Sequence, residues 1–406
     1  MSLALFTLVL LVASSDQPDL EGRVVTTGGE AVANAHVLIA SASVRRGTSP
    51  LCPSCYLDCR KSAVTDKEGR FRIASLDPEL LFNVLVVADG FRPTFARKSD
   101  PAKGPIEVTL TPFDPNTFDS RRILRGVVLG PDDKPLVGAS VTAQGFSTDA
   151  FSGFSPDIFD PVSVTNLRGE FVLTSKSPIQ FADLRIKGNG VAPRIVVARK
   201  PEGNPHRIKM TAGATLTGRL IRDGKPVAGS GVGLVQASRS ADTFLGETSI
   251  GTDENGRFIF LNVHASEDYF VYGLMGSIKD GGAVVARQIH VGVEGSTTDV
   301  GDLPVVLGHR LKGRVLLSDD KPVPPKTRLM VSREDAWDSQ RVELDPDGRF
   351  EMTGLPTERY SLTVTLKGYR ISPKNHSVDS QNPWALTGTI DQDIDSLKIL
   401  MEPEAN

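Results

Sequence analysis

Three groups of residues have the types and spacing that chemistry requires. Cys52, Cys55 and Cys59 are the only cysteines, and they fall together in SPLCPSCYLDC. A CxxCxxxC segment supplies three thiolates for a soft metal, or one local disulfide with a leftover thiol, or a redox or intermolecular pair. Three cysteines permit three pairings, and spacing does not choose among them. A disulfide closing so short a loop constrains the unfolded chain little, so its role would be to shape the segment. His264-Ala-Ser-Glu267 has the HxxE spacing of a zinc pair, yet zinc also needs a third ligand and an open position. His290 and His309 serve only if the fold brings them close. Asp253-Glu254-Asn255-Gly256 and Asp345-Pro346-Asp347-Gly348 faintly resemble calcium loops. They are far shorter than the twelve-residue EF-hand loop and lack its closing Glu, so turn geometry accounts for them. The sequence contains no GxSxG elbow, no phosphate loop and no Ser/His/Asp set that one pocket would hold. The expectation is a protein without catalysis and without a cofactor.

Binding residues are expected on loops instead. AQGFSTDAFSGFSPDIFDP (143–161) sets Phe146, Phe151, Phe154 and Phe159 in a Ser/Asp/Gly background. Such rings either fold back over their own domain edge or meet a partner, because water solvates them poorly. The equivalent stretches further on are QASRSADTFLGETS (236–249) and SREDAWDSQ (332–340), where Trp337 is exposed by pattern. Trp337 and Trp384 are the only tryptophans and tyrosine occurs five times, which leaves limited material for a sugar platform.

The elements that position these loops emerge from self-comparison. Four segments open with a short strand of one pattern: LEGRVV from Leu20, LRGVVL from Leu124, LTGRLI from Leu216 and LKGRVL from Leu311. Each is followed by a polar turn, a small-residue stretch such as KPLVGASV or KPVAGSGV, and then a hairpin signal: TDKEGRFRI, TNLRGEFVL, TDENGRFIF and DPDGRFEM. The recurring glycines read as bends between paired strands. Gly69, Gly169, Gly256 and Gly348 suit a turn whose last residue needs positive φ. Phe71, Phe171, Phe258 and Phe350 follow two residues later, which puts each on the inward face of a period-two strand. Short strands, frequent turn signals and no helical periodicity give an all-β sandwich fold.

This pattern resembles the carboxypeptidase regulatory-like family. The likeness rests on LxGxV, the Gly/Lys-Pro-Val segment, (T)DxxGxF and the late pairs Gly90-Phe91 and Gly368-Tyr369. It implies a transthyretin-like (prealbumin-like) or carbohydrate-binding-like Greek-key sandwich with adhesion, surface or accessory roles. In carboxypeptidases this sandwich stands beside a catalytic domain, and that domain has no counterpart here. The third repeat lacks the closing Gly-Tyr pair, and the second carries Asn166 in place of the hairpin Asp. Lys312, between Leu311 and Gly313, is read as pointing outward, so no Lys–Asn isopeptide is expected.

Length and charge agree. A chain of 406 residues fits three or four domains. Lys+Arg of 46 against Asp+Glu of 49 leave no basic field for nucleic acid. Leu3 to Val12 form an apolar run that fits a secretory signal and is too short to span a bilayer. The reading is therefore a signal peptide (1–16) followed by four tandem Greek-key sandwiches at 17–112, 121–211, 212–308 and 309–402. The expected role is an exported, non-enzymatic binding or scaffold protein, secreted, periplasmic or at the cell surface. Its partner is a protein or a cell-surface glycan, with no nucleic acid and no membrane-spanning segment. Carbohydrate binding is the first alternative; an unrecognised enzyme or a metal protein using the cysteine cluster is the second.

Overall fold

A computed structural model describes residues 18–44, 61–78, 80–153, 158–160, 162–201, 204–240, 242–278, 280–374 and 385–404. The N-terminal apolar run, the three cysteines, Phe154 and Trp384 lie outside the described residues. No described helix is long and apolar enough to cross a membrane. The chain is all-β, a series of four sandwiches. It divides into two compact units, one ending at Pro115 and one beginning at Asn116.

Each sandwich is built the same way. In the first, the opening strand Leu20–Thr26 lies between the hairpin strand Arg70–Ile73, antiparallel, and Ile106–Leu110, parallel. The facing sheet runs Ser62–Val64, His36–Val44, Leu80–Val87, Thr94–Ser99, all antiparallel. The parallel pair recurs as Ile123–Leu129 with His206–Lys209, Ala214–Arg222 with Thr297–Pro304, and His309–Leu317 with Ile394–Pro403. Opening and final strand of each repeat therefore sit side by side, which closes the repeat on itself.

The two marker series meet in the core. Gly22 pairs with Phe71, Gly126 with Phe171, Gly218 with Phe258 and Gly313 with Phe350. These opening glycines lie inside strands, and the facing Phe ring lies against each of them. A Cβ on Gly313 would stand 2.6 Å from the Phe350 ring and 2.4 Å from the Leu397 carbonyl. The hairpin glycines do bend: φ is +73° at Gly69, +72° at Gly169, +69° at Gly256 and +78° at Gly348. Just before each, an Asx side chain accepts two backbone N–H groups. Asp66 Oδ1 accepts from Glu68 and Arg70, and Asn166 Oδ1 from Arg168 and Glu170. Asp253 and Asp345 do the same for Asn255 with Arg257 and for Asp347 with Arg349. The carboxylates read as faint calcium ligands thus serve as turn acceptors.

Four apolar clusters fill the sandwiches, centred on Phe71 and Phe82, on Phe171 and Leu184, on Phe258 and Val271, and on Phe350 and Tyr360. Alternation explains most of their membership, since each hairpin Phe and the residue two further on, such as Ile73 or Met352, is buried.

Candidate binding site

The loops that follow the second strand of each repeat were the sequence's candidate sites. In the second sandwich, strand Ser140–Ser147 continues through Phe146 instead of ending before it. Its register against Phe181–Lys187 shifts: Leu184 faces Ala143, whereas Asp183 faces Gly145. Gln144 is the extra residue of a β-bulge, and a bulge resets the inward-outward alternation. Phe146 therefore turns into the core, and Phe159 joins it with ring centroids 5.9 Å apart. Among the described phenylalanines of this segment, Phe151 is the one that offers its ring to water, 59% exposed and edge-on to Phe146 at 5.6 Å.

Trp337 is placed differently. It lies in the loop after Arg328–Arg333 of the fourth sandwich and is 54% exposed, as its pattern predicted. Phe244, from the corresponding loop of the third sandwich, packs against it with ring centroids 5.1 Å apart. Arg239 of that same loop stands 5.0 Å over the Trp337 ring and 5.3 Å over Phe244, and donates to the Asp335 carbonyl at 2.7 Å. The Trp337 backbone N–H donates to the Tyr272 hydroxyl oxygen at 3.3 Å. Val235, Tyr272 and Ala336 form a small buried cluster from both sandwiches.

Beneath this surface the two sandwiches share a buried charge network. The Arg333 side chain is fully buried. Its guanidinium pairs with Glu358 through Nη2 and, at 2.7 Å, through Nε. It also donates to two carbonyls of the third sandwich, Gly273 at 2.8 Å and Val284 at 3.1 Å. Asp338 Oδ2 lies 3.6 Å from Nη1 and accepts the Met275 N–H at 2.7 Å. Glu358 Oε1 accepts the Ala286 N–H at 2.5 Å. One cation and two carboxylates thus tie backbone groups of one sandwich to side chains of the next.

Burial sets the proton affinities. Desolvation would lower the Arg333 pKa, but the Glu358 hydrogen bond and charge reverse this and raise it. Desolvation raises Asp338, against the opposing Met275 N–H and the Arg333 charge. Glu247, just beyond Phe244, is an exposed residue. Its carboxyl is nonetheless pushed up to about 7, by desolvation and then by the Asp338 charge. The Tyr272 hydroxyl is raised by burial and by Glu247, so it stays protonated while its oxygen accepts the Trp337 backbone N–H.

The other candidates do not converge. His264 Nδ1 lies 3.6 Å from Glu267 Oε1, but Glu267 Oε2 accepts from Gln236 Nε2 at 2.7 Å. His290 pairs with Asp268 at 2.8 Å, and His309 with the Thr357 hydroxyl at 2.8 Å. Among the described residues no group of three or more His, Cys, Asp or Glu is placed to hold a metal ion. Lys312 points outward and pairs with Glu351 at 3.1 Å. Two open grooves of ≈ 770 and ≈ 690 Å³ lie along the opening strands of the fourth and first sandwiches, and Trp337 lines neither. Both are ringed by charges of either sign, Lys312 and Glu351 in one, Arg23 and Glu107 in the other.

No family model matches the chain, and no curated protein matches it. Among solved structures it is similar to a streptococcal ancillary pilin, at 14% identity and a TM-score of 0.23, over 70% of this chain and 100% of that one. The minor pilin GBS52 of Streptococcus agalactiae gives 14% identity and a TM-score of 0.25, over 48% of this chain and 98% of that one. The Bacillus anthracis TIE protein gives 12% and 0.20, over 95% of this chain and 73% of that one. Likenesses at this level assign neither ligand nor activity.

Proposed function

We propose that the chain is an exported, non-enzymatic binding or scaffold protein of carboxypeptidase regulatory-like repeats. Its sandwiches span 17–112, 121–211, 212–308 and 309–402 behind a signal at 1–16. The observation that carries the reading is Trp337, a ring more than half open to water yet held by Phe244 and Arg239. A sandwich core has no need of such a side chain, and rigid aromatic anchors on loops are what binding surfaces use. Phe151 is a second, smaller point of contact. Cys52, Cys55 and Cys59 are proposed to form a local disulfide or a metal site, which intact mass with and without reductant tests: three free thiols with no bound metal exclude both.

The experiment for the binding role is capture from the native cell envelope by the full chain and by Trp337→Ala and Phe151→Ala variants. A specific envelope component retained by the parent and lost with Trp337→Ala supports the reading. Retention unchanged in both variants, or no specific retention at all, overturns it.

A further inference from the structure

The seam between the third and fourth sandwiches presents an aromatic surface that neither core requires. Val235, Tyr272 and Ala336 make a packed floor beneath it. Arg239 is fixed by the Asp335 carbonyl and braces both rings, so the indole is held without being closed off from water. A side chain already fixed gives up little entropy when it binds.

The surroundings restrict what fits. A flat apolar ring favours a ligand with a flat apolar face. A ligand cation brought to the rings meets the like charge of Arg239, whose guanidinium stands beside both of them. A polyanion meets the carboxylates of Asp335 and Glu247 on the same two loops, with only Arg239 exposed against them, because Arg333 is committed below. A neutral sugar ring meets neither objection. Its C–H face stacks on the indole, and its hydroxyls donate to carboxylates at the rim.

We infer that Trp337, Phe244 and Arg239 form a composite platform for the ring face of a neutral glycan, assembled only when the third and fourth sandwiches are docked. This rests on the binding role proposed above and names the ligand class of that site. Phe244 comes from one sandwich and Trp337 from the other, so neither sandwich carries the platform alone. The buried Arg333 network, which touches no ligand, becomes a positioning element for it.

The test uses the full chain carrying Trp384→Phe, which leaves Trp337 as the sole indole. Soluble β-glucan, soluble starch and xylan serve as neutral probes and polygalacturonate as the anionic one, read by affinity electrophoresis and indole fluorescence. At least one neutral glycan should retard the protein and shift the emission to the blue. Trp337→Ala should weaken binding about tenfold or more and Phe244→Ala several-fold, with Trp337→Phe restoring part of it, as loss of aromatic stacking area requires. The inference is overturned if no neutral glycan in the panel binds, or if polygalacturonate is preferred. It is also overturned if Trp337→Ala binds within about twofold of the parent while near-ultraviolet circular dichroism confirms an intact fold. Envelope capture that depends on Trp337 with a negative panel sinks the glycan and leaves the binding protein standing; failure of both sinks both.

Discussion

Arg333→Ala tests whether the third and fourth sandwiches are fused by charge. The substitution removes five interactions of the guanidinium: two with Glu358, one with Asp338, and those with the Gly273 and Val284 carbonyls. It strands two carboxylates whose side chains are only 7% and 8% exposed. Removing one partner of a buried pair costs about 3–5 kcal/mol, because the remaining charge has no water to turn to. With a urea dependence of about 2 kcal/mol/M, the midpoint should fall by roughly 1.5–2.5 M. The assay is urea unfolding followed by the emission of Trp337, which sits on the seam. Combining Arg333→Met with Glu358→Leu removes both charges together and should recover about half of the loss, since no Glu358 charge is stranded and Asp338 keeps the Met275 N–H, although the Gly273 and Val284 carbonyls and the Ala286 N–H still lose a partner. A shift below about 0.5 M for Arg333→Ala, or a double variant as damaged as the single one, refutes the network as the element that holds the seam.

The remaining predictions follow from the same geometry. Glu247 has a folded pKa of about 7 against an ordinary 4.5, so its ionised form is the disfavoured one in the folded state. Stability of the seam therefore rises as pH falls from above 7 toward 4.5, and Glu247→Gln should flatten urea midpoints measured between pH 8 and pH 5. Gly313→Ala should cost about 1–3 kcal/mol through the clash with Phe350 and Leu397, and pairing it with Phe350→Leu should return part of that in thermal unfolding. Asp345→Ala should cost about 1 kcal/mol by leaving the Asp347 and Arg349 N–H groups without their acceptor. Asp345→Asn should be close to neutral, because Asn166 already fills that role in the second repeat.

The repeat was legible because each marker residue has one local reason to be where it is. A hairpin needs a left-handed glycine after an Asx acceptor, and a Phe two residues later must face inward. The opening glycines were legible as strand residues but the need for Gly was not, since the reason for it is a ring about forty to fifty residues further along the chain, which no local pattern contains. The Phe-rich segment failed in another way. One bulge residue, Gln144, shifts the phase, so that Phe146 and Phe159 read as loop aromatics while packing as core. At the seam the signal was divided between two loops. TFLG around Phe244 and REDAW around Trp337 are unremarkable apart and meet only through the docking of two repeats. Arg333 was the least legible of all, because an arginine in a charged loop reads as solvated and is rarely fully buried. That points to where a duplicated fold gains something new. The strands of each sandwich are bound by Gly–Phe pairing and turn chemistry, which recur in every repeat. The residues free to differ are those that bulge out of register or lie on the loops, and two such loops meeting across a seam make a surface that no single repeat encodes.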